Sequence, residues 1–157
     1  MAVSINDPSI GRRARAASHR GFDEVGALGA ASSTFGATAL KEAASAAADG
    51  GCRTLTARGD NPFCGDELEV RAVVRHDPLR GWVVERAAFD GYACTLCLAA
   101  SDVLMEAAEG QPVALVRATT LDDVCQLLGG LSVGRTRKGC VELPLTVLGR
   151  ALATVVE

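Results

Sequence analysis

The alternation in Leu68-Glu69-Val70-Arg71-Ala72-Val73-Val74-Arg75 does most to limit what this chain can fold into. It places Leu68, Val70, Ala72 and Val74 on one face of an extended segment, the period of a half-buried strand. His76-Asp77-Pro78-Leu79-Arg80-Gly81 follows with Asp, Pro and Gly in turn order. Trp82-Val83-Val84-Glu85-Arg86-Ala87-Ala88-Phe89 then returns. The pattern predicts an antiparallel hairpin, with Cys52–Ala57 as a third strand.

Helical signals surround this sheet. Beyond Cys94, Leu96, Ala99, Ala100, Val103 and Leu104 form a stripe that ends at Gly110-Gln111-Pro112. Thr120 caps a second helix running to about Leu128, stopped by Gly129-Gly130. A last helix is expected from about Glu142 to Val155, with Pro144 in its first turn. At the other end, Asp7 is placed to cap a helix from Ile5 to about Arg20, and Thr38–Ala48 reads as an Ala-rich helix. The fold class expected is α+β, a small three-stranded antiparallel sheet covered by helices on one side, with a long C-terminal helix. At 157 residues the chain fits a single domain. Residues 1–50 are expected as a divergent helical segment, flexible in part, and 51–157 as the core.

Charge and composition exclude several function classes. A formal net charge of −3 argues against nucleic acid as an obligate partner. No uninterrupted apolar run is long enough to cross a bilayer. The basic stretch Gly11–Arg20 lacks the apolar core of a secretory signal and is flanked by Asp7, Asp23 and Glu24, so a cytoplasmic protein is expected. No phosphate-binding glycine fingerprint, nucleophile elbow or HExxH motif occurs. His19 and His76 are the chain's histidines, and both are expected at the surface.

Six cysteines without a secretory signal point to metal, redox or packing roles rather than disulfides. Asn61-Pro62-Phe63-Cys64-Gly65-Asp66 is a tight turn that puts a thiol and a carboxylate two positions apart. Soft sulfur beside hard oxygen is a plausible half of a metal site. Cys94 and Cys140 each follow a glycine-containing loop at the start of a helix, where free N–H groups should stabilise a thiolate. Arg135, Arg137 and Lys138 would add to that effect at Cys140. Cys64, Cys94, Cys140 and Asp66 would then make an S₃O donor set. Cys52 and Cys125 are expected as small buried hydrophobes. Cys97, one helical turn after Cys94, is expected as a core residue or, failing that, an auxiliary thiol.

Three blocks carry a family resemblance: Asn61–Asp66, Phe89-Asp90-Gly91-Tyr92-Ala93-Cys94 with Leu98–Ser101, and Arg137-Lys138-Gly139-Cys140-Val141-Glu142-Leu143. Together they resemble the IscU/SufU/NifU-N family of iron–sulfur cluster scaffolds, from about Cys52 to the C-terminus. The resemblance implies that Cys64, Cys94 and Cys140 are the cluster or metal thiolates, with Asp66 as the carboxylate beside them. It implies a [2Fe–2S] cluster, or zinc or ferrous iron at the same residues. It also implies a scaffold rather than an enzyme, with a cysteine desulfurase and acceptor apo-proteins as partners. The alternative it carries is a zinc-dependent acceptor of persulfide sulfur, through Cys64 or Cys140. Where IscU has a histidine before the last cysteine and SufU commonly a lysine, this chain has Gly139. The Leu-Pro-Pro-Val-Lys segment of IscU is replaced by Val133-Gly134-Arg135-Thr136-Arg137.

Overall fold

The computed structural model of the chain describes residues 7–22 and 51–155. The helix expected over Thr38–Ala48 lies outside them. The expected strands are present and longer than their apolar alternation: β1 covers Cys52–Asn61, β2 Asp66–Asp77 and β3 Gly81–Tyr92. They form one antiparallel sheet in the order β1-β2-β3. Leu68, Val70, Ala72 and Val74 all lie in the main core, as the alternation requires. Val73 pairs with Arg86 and Val74 with Val84, so Glu85 is an extra residue in β3. That bulge lets Val84 share the core face with Ala87 and Phe89 despite the odd spacing. The β2–β3 turn is held by Asp77, whose Oδ1 accepts from the amides of Leu79 at 2.9 Å and Arg80 at 3.0 Å. Those two bonds hold its carboxyl below the usual range.

Helices cover the core face. Helix α2 (Thr95–Ala108) packs on β3, and α5 (Lys138–Leu152) packs on β1, β2 and α2. Gly59 allows α5 to come this close, since a Cβ there would lie 2.6 Å from Val147 Cγ2. Two short helices, α3 (Val113–Arg117) and α4 (Leu121–Leu127), fill the connection. Thr120 caps α4 as expected and forms a reciprocal capping box with Asp123. Helix α3 was not legible, because five residues after Pro112 carry no amphipathic period.

Two helix boundaries differ from expectation. The last helix starts at Lys138, four residues before Glu142, so Pro144 lies in its interior rather than its first turn. Proline has no N–H to give the carbonyl of Cys140, and tertiary packing offsets that loss: Val141, Val147, Leu148 and Leu152 are almost wholly buried. The first helix, α1, covers only Pro8–Arg15, capped by Asp7. Residues 18–21 instead run along the outer edge of β3. Phe89 donates its N–H to the His19 carbonyl at 2.9 Å and accepts from the Gly21 N–H at 2.8 Å. Phe22 then packs with Val73 and Ala88 on the face opposite the main core, under the Arg71 guanidinium.

The buried carboxylate of Asp102 on α2 anchors this segment. It accepts from Arg13 Nε at 2.8 Å and from the His19 amide at 3.1 Å. The His19 ring lies 3.3 Å from Asp102 and 3.7 Å from Glu109, so it is tucked against α2, not free at the surface as expected. His76 is exposed. Asp102→Ala leaves these donors without their acceptor, a loss of about 1–3 kcal/mol for the segment's attachment. Hydrogen exchange should show the amides of His19 and Gly21 exchanging faster in that variant while those of β1 keep their protection. Equal protection in both proteins would show that Asp102 is not the anchor.

Candidate functional site

The site is built from the turns at one end of the sheet and the first turns of two helices. Register pairs Asn61 with Asp66 across the β1–β2 hairpin. The intervening Pro62-Phe63-Cys64-Gly65 turn is closed by the Cys64 amide donating to the Asn61 carbonyl at 3.2 Å. Gly65 has a φ of +68° and open space where a Cβ would be. Its glycine is needed for the left-handed conformation rather than for close approach. The turn leaves Cys64 exposed at its tip, while Asp66, the first residue of β2, is buried.

Strand β3 delivers the next residue. After Tyr92 the chain turns into α2, where Cys94 is the N-cap residue and its sulfur accepts from the Cys97 amide at 3.5 Å. The Cys94 amide donates to Asp66 Oδ1 at 2.7 Å, and the Cys94 sulfur lies 3.8 Å from Asp66 Oδ2. Asp66 therefore ties the start of β2 to the start of α2 through one carboxylate.

Cys140 comes from α5, in its first turn and fully buried. Its sulfur is 3.2 Å from that of Cys64. The ligand atoms of Cys64, Asp66 and Cys140 all lie within 4.8 Å of one another. The structure thus brings three of the four expected residues into one mutual cluster. It places Cys94 against the cluster through Asp66.

One electrostatic expectation is overturned. A helix start and nearby basic residues were expected to favour the Cys140 thiolate. Instead burial pushes this thiol well up from its ordinary value, and the neighbouring Cys64 and Cys94 thiols and the Asp66 charge push the same way. Arg135, Arg137 and Lys138 are exposed and do not reverse this, and Lys138 pairs with Glu142. These surroundings favour the protonated form of Cys140.

The remaining cysteines are elsewhere. Cys97 is buried in the main core, and that burial strongly raises its thiol. Cys52 and Cys125 are half-buried rather than buried, Cys52 lying 3.7 Å from Glu85. Asn61, which the sequence marks only as a turn former, has a second role that needs its distant partner to be seen. Its side chain is buried, with Nδ2 facing the Cys140 sulfur at 3.8 Å.

A family model described as NifU-like N terminal domain matches residues 42–155, more than half of the chain. The chain belongs to the NifU-like N-terminal domain family. No curated protein sequence matches it significantly. Among solved structures, a hypothetical protein at 24% identity and TM-score 0.50 matches over 64% of this chain and 82% of that one, a likeness of fold. Two further matches are a NifU-like N-terminal protein from Brucella abortus and a protein from Fervidobacterium islandicum AW-1 named as an iron–sulfur cluster assembly scaffold for the SUF system. The first has 18% identity and TM-score 0.46, over 62% of this chain and 76% of that one. The second has 24% identity and TM-score 0.42, over 62% and 79%. The α+β architecture expected from the sequence is the one the chain adopts. Among the described residues no helix is long and apolar enough to cross a membrane.

Proposed function

We propose that this NifU-like domain is an iron–sulfur cluster assembly scaffold. In this reading it holds a [2Fe–2S] cluster, or the iron or zinc that stands in for it, through Cys64, Asp66, Cys94 and Cys140. A cysteine desulfurase supplies the sulfur, and acceptor apo-proteins receive the cargo. One observation carries the reading: ligand atoms from a hairpin tip, the start of β2 and the first turn of α5 lie within 4.8 Å of one another. Three thiols and a carboxylate suit thiophilic metals, and oxygen is a poorer partner than thiolate for such centres. A mixed set therefore holds cargo less firmly than four thiolates would, which suits a protein that must give its cargo up.

Anaerobic reconstitution with iron and sulfide tests the proposal. The wild-type protein should gain the visible absorption of a thiolate-bound cluster. The variant carrying Cys64→Ser, Cys94→Ser and Cys140→Ser should stay colourless while keeping its helical circular dichroism. If the triple variant coloured like the wild type, the assignment of ligands would fail.

A second reading is favoured by the exposure of Cys64 beside a buried Cys140. In it, a zinc-bearing site receives persulfide sulfur, and the accessible thiol is the one a donor meets. The Cys64 thiolate would attack the outer sulfur of the donor's persulfide; the donor's S–S bond breaks and its thiolate leaves. Mass spectrometry after incubation with a desulfurase and cysteine should then find one added sulfur on Cys64 in protein that carries no cluster.

A further inference from the structure

Asn61 ends β1 and is only 7% exposed, an unusual place for an amide that merely starts a turn. Its two polar atoms have different partners. The Phe63 amide donates to Oδ1 at 3.3 Å, which fixes the carboxamide and leaves Nδ2 pointing at the Cys140 sulfur 3.8 Å away. The orientation follows from this network, because only the oxygen can accept from Phe63. The space the amide occupies adjoins the backbone of Gly139: a Cβ on that residue would lie 3.1 Å from Nδ2 and 3.4 Å from both Cγ and Oδ1. The bare residue before Cys140 and the buried amide therefore form a single arrangement, although Asn61 and Cys140 are 79 positions apart in sequence.

From this we infer that Asn61 is a positioning residue for Cys140. Its amide donates an N–H···S hydrogen bond that aims the Cys140 sulfur at Cys64 and Asp66, and Gly139 leaves room for it. The inference rests on the site being a thiolate metal site, and it adds a residue that is not itself a ligand. Donors to ligand sulfur shift electron density away from the metal and orient the ligand, and losing such an outer partner typically lowers metal affinity about 10–100-fold.

The test uses the full-length reduced protein, with cobalt(II) as a spectroscopic probe of thiolate ligation. Asn61→Ser keeps a hydroxyl that can accept from the Phe63 amide in the turn, but it does not reach Cys140. This variant should bind cobalt at least about tenfold more weakly and show a displaced sulfur-to-cobalt charge-transfer band. Gly139→Ala should weaken binding in the same direction by crowding the amide. The double variant should be no weaker than the worse single one, because both changes remove one contact. Asn61→Ser with wild-type affinity and an unmoved band would overturn the inference and reduce Asn61 to a turn former. Wild-type protein giving no charge-transfer band at all would instead sink the metal-site reading. Side-chain amide NMR of the metal-free protein then decides the contact. Asn61 resonances that shift in Cys140→Ala support it, and unmoved resonances overturn it.

Discussion

Gly91→Ala is expected to be the most damaging single substitution in the described part of the chain. Gly91 has a φ of +150°, a region that side chains avoid, and it faces β2 at the pair Leu68–Gly91. A Cβ there would lie 2.1 Å from the Glu67 carbonyl oxygen and 3.0 Å from Leu68 Cα. Both are backbone atoms of the central strand and cannot swing aside. Overpacking and backbone strain each cost about 1–3 kcal/mol, so a loss of about 3–5 kcal/mol is expected. A small domain has about 5–15 kcal/mol to lose. The damage should reach the site, because Glu67 adjoins Asp66 and Gly91 lies three residues before Cys94. Gly65→Ala is the control. It has a positive φ but open space, so its cost should be the conformational one alone, about 1–2 kcal/mol. Urea denaturation of both variants decides the matter, and equal midpoints would contradict the steric argument.

The second large effect is expected at Asp66. Asp66→Ala removes a proposed ligand and also strands the Cys94 amide, which loses its 2.7 Å acceptor. Zinc affinity, measured by competition with a chromogenic chelator, should fall at least about 100-fold, the upper end of what losing an outer-shell partner costs. Asp66→Asn keeps an oxygen for the Cys94 amide but loses the charge, so it should fold normally and still bind zinc more weakly. Asp66→Cys should act in the opposite direction, retaining zinc longer against the chelator because a fourth thiolate replaces oxygen. Wild-type zinc retention in both Asp66→Ala and Asp66→Cys would remove Asp66 from the ligand set.

Much of this was legible because the signals were local. The alternation of Leu68 to Val74, the Asp77 turn and the Thr120 cap each state their structure within a few residues. Cys94 at the start of α2 was legible for the same reason. What was not legible depends on distant partners. Residues 18–21 leave the helical pattern because the edge of β3 recruits them. Helix α5 begins before Pro144 because its apolar face is buried against the sheet and α2, against the ordinary meaning of proline. The Cys140 thiol is governed by burial and by Cys64, Cys94 and Asp66, none of which is its sequence neighbour. The role of Asn61 is legible only once α5 has been laid beside the β1–β2 turn.

The segment that runs beside Phe89 has one more effect. An outermost strand offers a row of unpaired donors and acceptors on which another chain can build, and proteins that stay dispersed cover or blunt such rows. Here the row of β3 is taken at both ends. His19 and Gly21 occupy Phe89 at one end. At the other, the Val84 amide donates to the Gln111 carbonyl at 2.9 Å and the Val84 carbonyl accepts from Gly110 at 2.7 Å. Residues 18–21 and 110–111 thus act as bumpers at the two ends of this outer edge of β3. Because Asp102 holds the residues that cover the Phe89 end of this row, Asp102→Ala should self-associate through β3 as its concentration rises, and size-exclusion elution unchanged from wild type would contradict this.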